Sequence, residues 1–218
     1  MSLSRYCKNG ELKNVRELLN QDPDIDVDEK DFCGNTPLYY ASSKGYHRIV
    51  NLLINHGASV KKCKLGFEEA CKNGFSKVVE LFIENGFNIR KHNSYLKTAC
   101  ENGHLDVVIL LVENGANASY VDELGWSYLF FAALNDHVEV ARYLISVVNV
   151  NIRDVYGWSC IHYVCEENNT EIAELLIEGG AEVNHVDDNG VSCLYMACKN
   201  GNDQLVQLLV ENGASPNL

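Results

Sequence analysis

Nine cysteines and seven histidines in 218 residues offer thiolate nucleophiles, disulfide halves and zinc ligands, so their spacing decides which chemistry is open. Five thiols, Cys7, Cys71, Cys100, Cys165 and Cys198, fall in one recurring position, three residues before a turn residue. Ser42 and Ala133 stand there in the two other copies. A position that takes Cys, Ser or Ala selects small volume, as where helices approach closely. Stacked copies would hold these Cα atoms about 10 Å apart, beyond the ~7 Å reach of a disulfide. Cys160 and Cys193 share a second recurring position, so Cys160/Cys165 and Cys193/Cys198 are products of repetition. No Cys-x-x-Cys occurs, whereas zinc sites want paired ligands at short spacing. Free thiols behind a polar N-terminus, Met1 to Gly10, predict a reducing, cytoplasmic setting.

The remaining chemical motifs are weaker. His162 has no Cys or Ser nucleophile oriented toward it, as a general base requires. The glycines recur at a fixed spacing and none precedes Lys-Ser or Lys-Thr, so there is no phosphate-cradling loop. Asp187-Asp188 reads as a solvated turn. These residues predict no enzyme, no cofactor, no metal and no small-molecule substrate.

The elements that carry these residues repeat. Ala70-Cys71-Lys72-Asn73-Gly74, Ala99-Cys100-Glu101-Asn102-Gly103 and Ala197-Cys198-Lys199-Asn200-Gly201 are one motif, and Cys7-Lys8-Asn9-Gly10 is the same with Tyr6 before it. Turn residues at 10, 45, 74, 103, 136, 168 and 201 lie 35, 29, 29, 33, 32 and 33 apart. Seven units therefore fill a single predicted domain over 1–218, with approximate bounds 1–30, 31–60, 61–89, 90–118, 119–151, 152–184 and 185–218.

Each unit reads as two short helices. Thr36-Pro37 starts a first helix with a capping oxygen and a residue suited to the first turn, and Ser127, Ser159 and Ser192 keep that oxygen in later units. The turn residue is Gly five times and then Asp136 and Asn168, side chains that tolerate a left-handed backbone. The second helix is apolar at helical spacing, as in Ile49, Val50, Leu52 and Leu53. Such a helix pair cannot bury its face alone, so stacking supplies the core.

Asp31-x-x-Gly34-x-Thr36-Pro37-Leu38-x-x-Ala41, followed by Gly45, Ile49-Val50 and Gly57-Ala58, resembles the ankyrin repeat. Asp154 to His162 and Asp187 to Ala197 are similar to it as well, and the resemblance covers residues 3–217. It implies an all-α solenoid with short β-hairpin connections, a curved L-shaped stack and a concave surface that binds other proteins. It implies for His162 a hydrogen bond within the turn network. Asn151 and Asn184 match a position that is hydroxylated in some eukaryotic members. No stretch approaches the ~20 apolar residues of a membrane span.

Two units depart from the pattern. The third and fourth lack the Asp-x-x-Gly-x-Thr-Pro segment, and their connections contain Lys61, Lys62 and Lys64, and Arg90 and Lys91. A gap in the row of hairpin tips is expected there. The basic residues are either a solvated linker or a docking patch for an acidic or phosphorylated segment. The first unit has polar Asn14 and Glu17 on the face a terminal repeat must protect, while Leu205, Val206, Leu208 and Leu209 leave the last unit apolar. That asymmetry suggests a longer natural protein or an end that packs on something.

Charge divides the chain. The total is −12, which argues against nucleic acid. Residues 1–97 hold 15 Lys+Arg against 12 acids, a net of +3, and residues 98–218 hold 3 against 18, a net of −15. Trp126 and Trp158 share a hairpin position where Asn35 and Val191 stand elsewhere, so the fold does not demand Trp. The resemblance implies that Leu124 and Tyr156 before the hairpin glycine, and Leu134, Glu166 and Glu167 before the turn residue, face partners. Together they predict an aromatic strip with an acidic rim on a monomeric interaction module that selects a basic protein segment. The alternative is a structural assembly segment or an adaptor arm of a larger multi-repeat protein.

Overall fold

In a computed structural model, residues 2–216 are described. The described residues form fourteen α-helices in seven consecutive pairs: α1 (Leu3–Asn9) and α2 (Leu12–Gln21), α3 (Pro37–Ser43) and α4 (His47–Asn55), α5 (Lys64–Lys72) and α6 (Ser76–Glu84), α7 (Ser94–Glu101) and α8 (Leu105–Glu113), α9 (Tyr128–Leu134) and α10 (Val138–Val147), α11 (Cys160–Glu166) and α12 (Thr170–Glu178), and α13 (Cys193–Asn200) and α14 (Asp203–Glu211). All-α pairing follows from the 3.6-residue apolar spacing and from the turn that closes each first helix. At that turn Asp136 and Asn168 take φ values of 59° and 60°, the left-handed backbone their residue types predict.

The contacts fall into two compact units, Met1–Ala99 with Asp106–Ala116, and Cys100–Leu105 with Asn117–Leu218. In the first, α3 packs between α1 and α5, and α4 between α2 and α6. In the second, α11 packs between α9 and α13, and α12 between α10 and α14. Each unit therefore has a layer of first helices and a layer of second helices, with Leu38, Ala41, Val50 and Leu53 buried in one and Ile161, Cys165, Leu176 and Ala173 in the other. Burying a Leu or Ile side chain contributes about 1.5–3 kcal/mol, which offsets the ordering cost of helices too short to persist alone.

The connections differ between units. Among the described residues, hairpins appear as single antiparallel bridges, Val121 with Ser127, Arg153 with Ser159 and Val186 with Ser192. An aspartate locks each of these turns. Asp122 Oδ1 accepts from the N–H groups of Leu124 and Trp126, Asp154 Oδ1 from Tyr156 and Trp158, and Asp187 Oδ1 from Asn189 and Val191. Asp31 does the same for Cys33 and Asn35 in the first compact unit. Where that aspartate is missing, short 3-10 turns stand instead, Val60–Lys62 and Ile89–Lys91.

Capping matches the sequence at Thr36 and Ser192 and differs at Ser159 and Ser127. Thr36 Oγ1 accepts from Tyr39 N–H and Ser192 Oγ from Tyr195 N–H, both at 3.2 Å. Ser159 instead faces its own helix's histidine, Oγ lying 2.9 Å from His162 Nδ1. Ser127 Oγ is buried with no partner, because the Phe130 N–H is spent on the Ser127 carbonyl at 3.1 Å. The oxygen is present but does not cap.

Candidate partner interface

The hairpin tips of the second compact unit are the exposed apolar feature of its connections. Leu124 is 51% exposed, Val155 55% and Tyr156 60%, because the aspartate-locked turn spends its backbone donors inward and leaves these side chains outside. The tips are also tied in series. Val155 N–H donates to the Leu124 carbonyl at 3.0 Å, and Asp188 N–H to the Tyr156 carbonyl at 3.3 Å. Side chains held on bonded backbone lose little freedom on contact, which favours binding.

Trp126 and Trp158 are placed differently from a free strip. Both are half-buried, and Tyr163 lies between them, its ring 5.2 Å from Trp126 and 4.7 Å from Trp158. Trp126 also meets Phe130 and Phe131, at 5.8 and 5.5 Å. Tyr163 donates its hydroxyl to Asp154 Oδ2 at 2.5 Å, and Trp158 Nε1 donates to Asp187 Oδ2 at 2.7 Å. The tryptophans thus brace neighbouring hairpins and are only partly exposed. Burial and the Asp154 carboxylate together hold the Tyr163 phenol protonated. For Asp187, burial opposes charge, but the Val191 N–H and the Trp158 indole outweigh it, so its pKa lies below the ordinary carboxylate value.

A second feature is an open groove of about 570 Å³ where the α9–α10 turn faces the α11–α12 turn. Leu134, Val138 and Val164 line it together with Asp136, Glu167 and Glu171. Glu166 and Glu167 are both exposed, but only Glu167 lines this groove. The left-handed turn positions explain the acidity: Asp136 accepts a hydrogen bond from Asn169 Nδ2 across the groove and so remains at its edge. A largely polar groove with three carboxylates beside Leu134 and Val138 can receive an aliphatic cation such as a lysine stem and ammonium.

The basic residues of the shortened connections are only partly gathered. Lys61, Lys64 and Lys91 line one groove, whereas Lys62 reaches Asp28 at 3.8 Å. The Arg90 guanidinium lies against the backbone of Gly115, where an added Cβ would come within 2.7 Å of it.

One chemical contact had no signal in the repeat alignment. Cys193, at the start of α13, lies beside Cys165 of α11 and His162. The Cys165 thiol holds Cys193 below the ordinary thiol value against the opposing effect of burial, His162 adds to the lowering, and Cys165 is raised in return. A lowered thiol is a nucleophile where a substrate can reach it. Here Cys165, Cys193 and His162 are all fully buried, so the contact is internal packing. His162 Nε2 meets the His185 carbonyl at 3.1 Å, the turn-network bond expected for it. All nine cysteines are free, and among the described residues no cluster of three His, Cys, Asp or Glu could hold a metal.

Asn151 and Asn184 staple successive repeats. Asn151 Nδ2 donates to the Gly180 carbonyl and its Oδ1 accepts from Glu182 N–H, while Asn184 does the same with Gly213 and Ser215.

This is a helical-repeat solenoid, and comparison with known proteins is consistent throughout. The family description "Ankyrin repeats (3 copies)" matches residues 3–64, 67–154 and 129–218. The human ASB11 ankyrin repeat domain superposes with a TM-score of 0.82 at 21% identity, covering 99% of each chain. The ankyrin repeat domain of Bcl-3, a member of the IkappaB protein family, gives 0.78 at 22%, covering 96% of this chain and 98% of that one. The chain belongs to the ankyrin-repeat family. Ankyrin repeats are in general protein–protein interaction modules without catalytic activity, and no helix among the described residues is long and apolar enough to cross a membrane.

Proposed function

We propose that this protein binds a partner protein through the hairpin tips and the acidic groove of residues 117–218, and that the partner presents a lysine- or arginine-bearing segment. The observation that carries this reading is the pairing of exposed, backbone-tethered Leu124, Val155 and Tyr156 with a groove bearing Asp136, Glu167 and Glu171. Apolar anchors supply most interface energy, while surrounding carboxylates choose the partner's charge. Trp126 and Trp158 contribute by holding the hairpins at fixed spacing, with Glu166 on the rim. The setting in which it works is cytoplasmic and the chain acts as a monomer.

Capture from the native host tests this. Leu124→Asp with Tyr156→Asp is expected to lose the proteins retained by wild type while melting stays within about 0.5 kcal/mol, since both side chains are exposed. Retention of the same set by this variant would remove the tips from the interface. A modest rise in salt should also weaken capture, because exposed charge pairs are screened within about 8–10 Å.

A further inference from the structure

The first compact unit holds a groove of different chemistry, about 370 Å³, between the two 3-10 turns that replace hairpins. Lys61, Lys64 and Lys91 stand exposed on its rim, and the buried rings of Phe87 and Tyr95 form its floor. We infer that this groove recognises a phosphorylated side chain of a protein ligand, the three ammonium groups surrounding the phosphate and the aromatic floor supporting the side chain beneath it.

Several observations lead there. No ion pair among the described residues engages Lys61, Lys64 or Lys91, although the neighbouring Lys62 is held by Asp28 and Arg90 is laid over Gly115. Of the five basic residues in the two shortened connections, the three that line the groove are those left without such a partner. The Lys61 stem runs along Gly86, its Cε 3.9 Å from where a Cβ would stand, so the missing side chain keeps that wall low. The floor is rigid: Phe87 stacks on Phe67 at 4.2 Å, and Tyr95 meets Phe67 edge-on at 4.8 Å. Burial, with the Glu68 charge second, pushes the Tyr95 hydroxyl up to about 12, so the floor stays uncharged at neutral pH.

The ligand chemistry follows from number and geometry. One carboxylate is neutralised by one ammonium, and three around one small groove would leave an excess. A phosphate monoester carries about −1.5 to −2 at neutral pH and three acceptor oxygens, which matches three lysines. A nucleic acid strand needs many cations tracking along its backbone, and a net charge of −12 opposes that mode of binding.

The test uses the isotope-labelled full chain and nuclear magnetic resonance at fixed ionic strength, with two probes, phenyl phosphate and the N-acetyl methylamide of phosphoserine. Saturable shifts confined to the amides of residues 60–64 and 86–95 are expected. Lys61→Gln, Lys64→Gln and Lys91→Gln should each weaken binding roughly tenfold, and Lys62→Gln less than about twofold, though it removes the same charge. Tighter phenyl phosphate identifies phosphotyrosine as the source, and the reverse order identifies phosphoserine or phosphothreonine. Shifts that fail to saturate, that spread over lysines generally, or that respond equally to Lys62→Gln would overturn the proposal. So would a short oligouridylate that binds these amides more tightly per phosphate than either probe. All four variants alter exposed side chains, and unchanged spectra elsewhere would certify the fold.

Discussion

Two kinds of connection join the helix pairs, and the contrast shows how one frame yields two surfaces. The turns at 121–127, 153–159 and 186–192 keep an aspartate whose carboxylate folds the backbone inward and pushes side chains such as Tyr156 out. At Val60–Lys62 and Ile89–Lys91 that aspartate and its turn are gone. The space under them is filled by a buried ring cluster of Phe67, Phe82, Phe87 and Tyr95, and lysines remain at the rim. In the unit with a full hairpin, Ile161, Leu176 and Cys160 hold the positions of Phe67, Phe82 and Tyr95, and its aromatics Trp158 and Tyr163 instead sit half-buried at the hairpin, hydrogen-bonded to carboxylates. The full turns carry an apolar tip with an acidic border, and the shortened connections a basic groove with an apolar floor.

Substitution at each side of the contrast should separate them, the largest effect first. Phe67→Ala removes the ring at the centre of the buried cluster and is expected to destabilise by about 3–5 kcal/mol, read from urea unfolding by helical circular dichroism. A loss below 1 kcal/mol would mean that the cluster does not hold the shortened connections. Asp154→Ala strands three donors, the N–H groups of Tyr156 and Trp158 and the Tyr163 hydroxyl, and should cost about 2–4 kcal/mol. Both tryptophans lie in residues 117–218, so indole fluorescence should report this variant directly.

Acid offers a third comparison. Asp31, lowered first by the Tyr40 hydroxyl, and Asp187, lowered as described above, both ionise more readily folded than unfolded. Their contribution is complete above the unfolded value of about 3.9 and disappears as pH falls through the lower folded values. Stability should therefore decline below about pH 4, and Asp187→Asn should flatten that decline; a profile parallel to wild type would contradict the assignment. The smallest expected change is a gain. Ser42 occupies the small-residue position with its hydroxyl buried and unpartnered, so Ser42→Ala should add about 1 kcal/mol to the melting stability.

Much of this was readable from the residues. The turn spacing located the helix pairs, and residue type alone predicted left-handed Asp136 and Asn168. The shared Cys/Ser/Ala position revealed close helix packing, and Cys7, Cys71, Cys100 and Cys165 are buried there. The site was less legible because it depends on contacts between copies. Tyr163 sits nine residues after Asp154, as Tyr40 does after Asp31, and each hydroxyl reaches its aspartate at 2.5 Å. That spacing was available in the chain, but its consequence, a ring inserted between two tryptophans, was not. Nor could spacing within one copy expose the Cys165–Cys193 contact, which joins two different positions of adjacent units. Of five basic residues, three turned toward one groove, and only side-chain partners decided which.

Amide hydrogen exchange on the chain bound to a partner purified from its host tests the interaction surface most directly. Slower exchange is expected at residues 122–126 and 154–158 and around the groove at 134–138 and 166–171. Protection confined to the second-helix layer, α10, α12 and α14, with the tips unchanged, would contradict it.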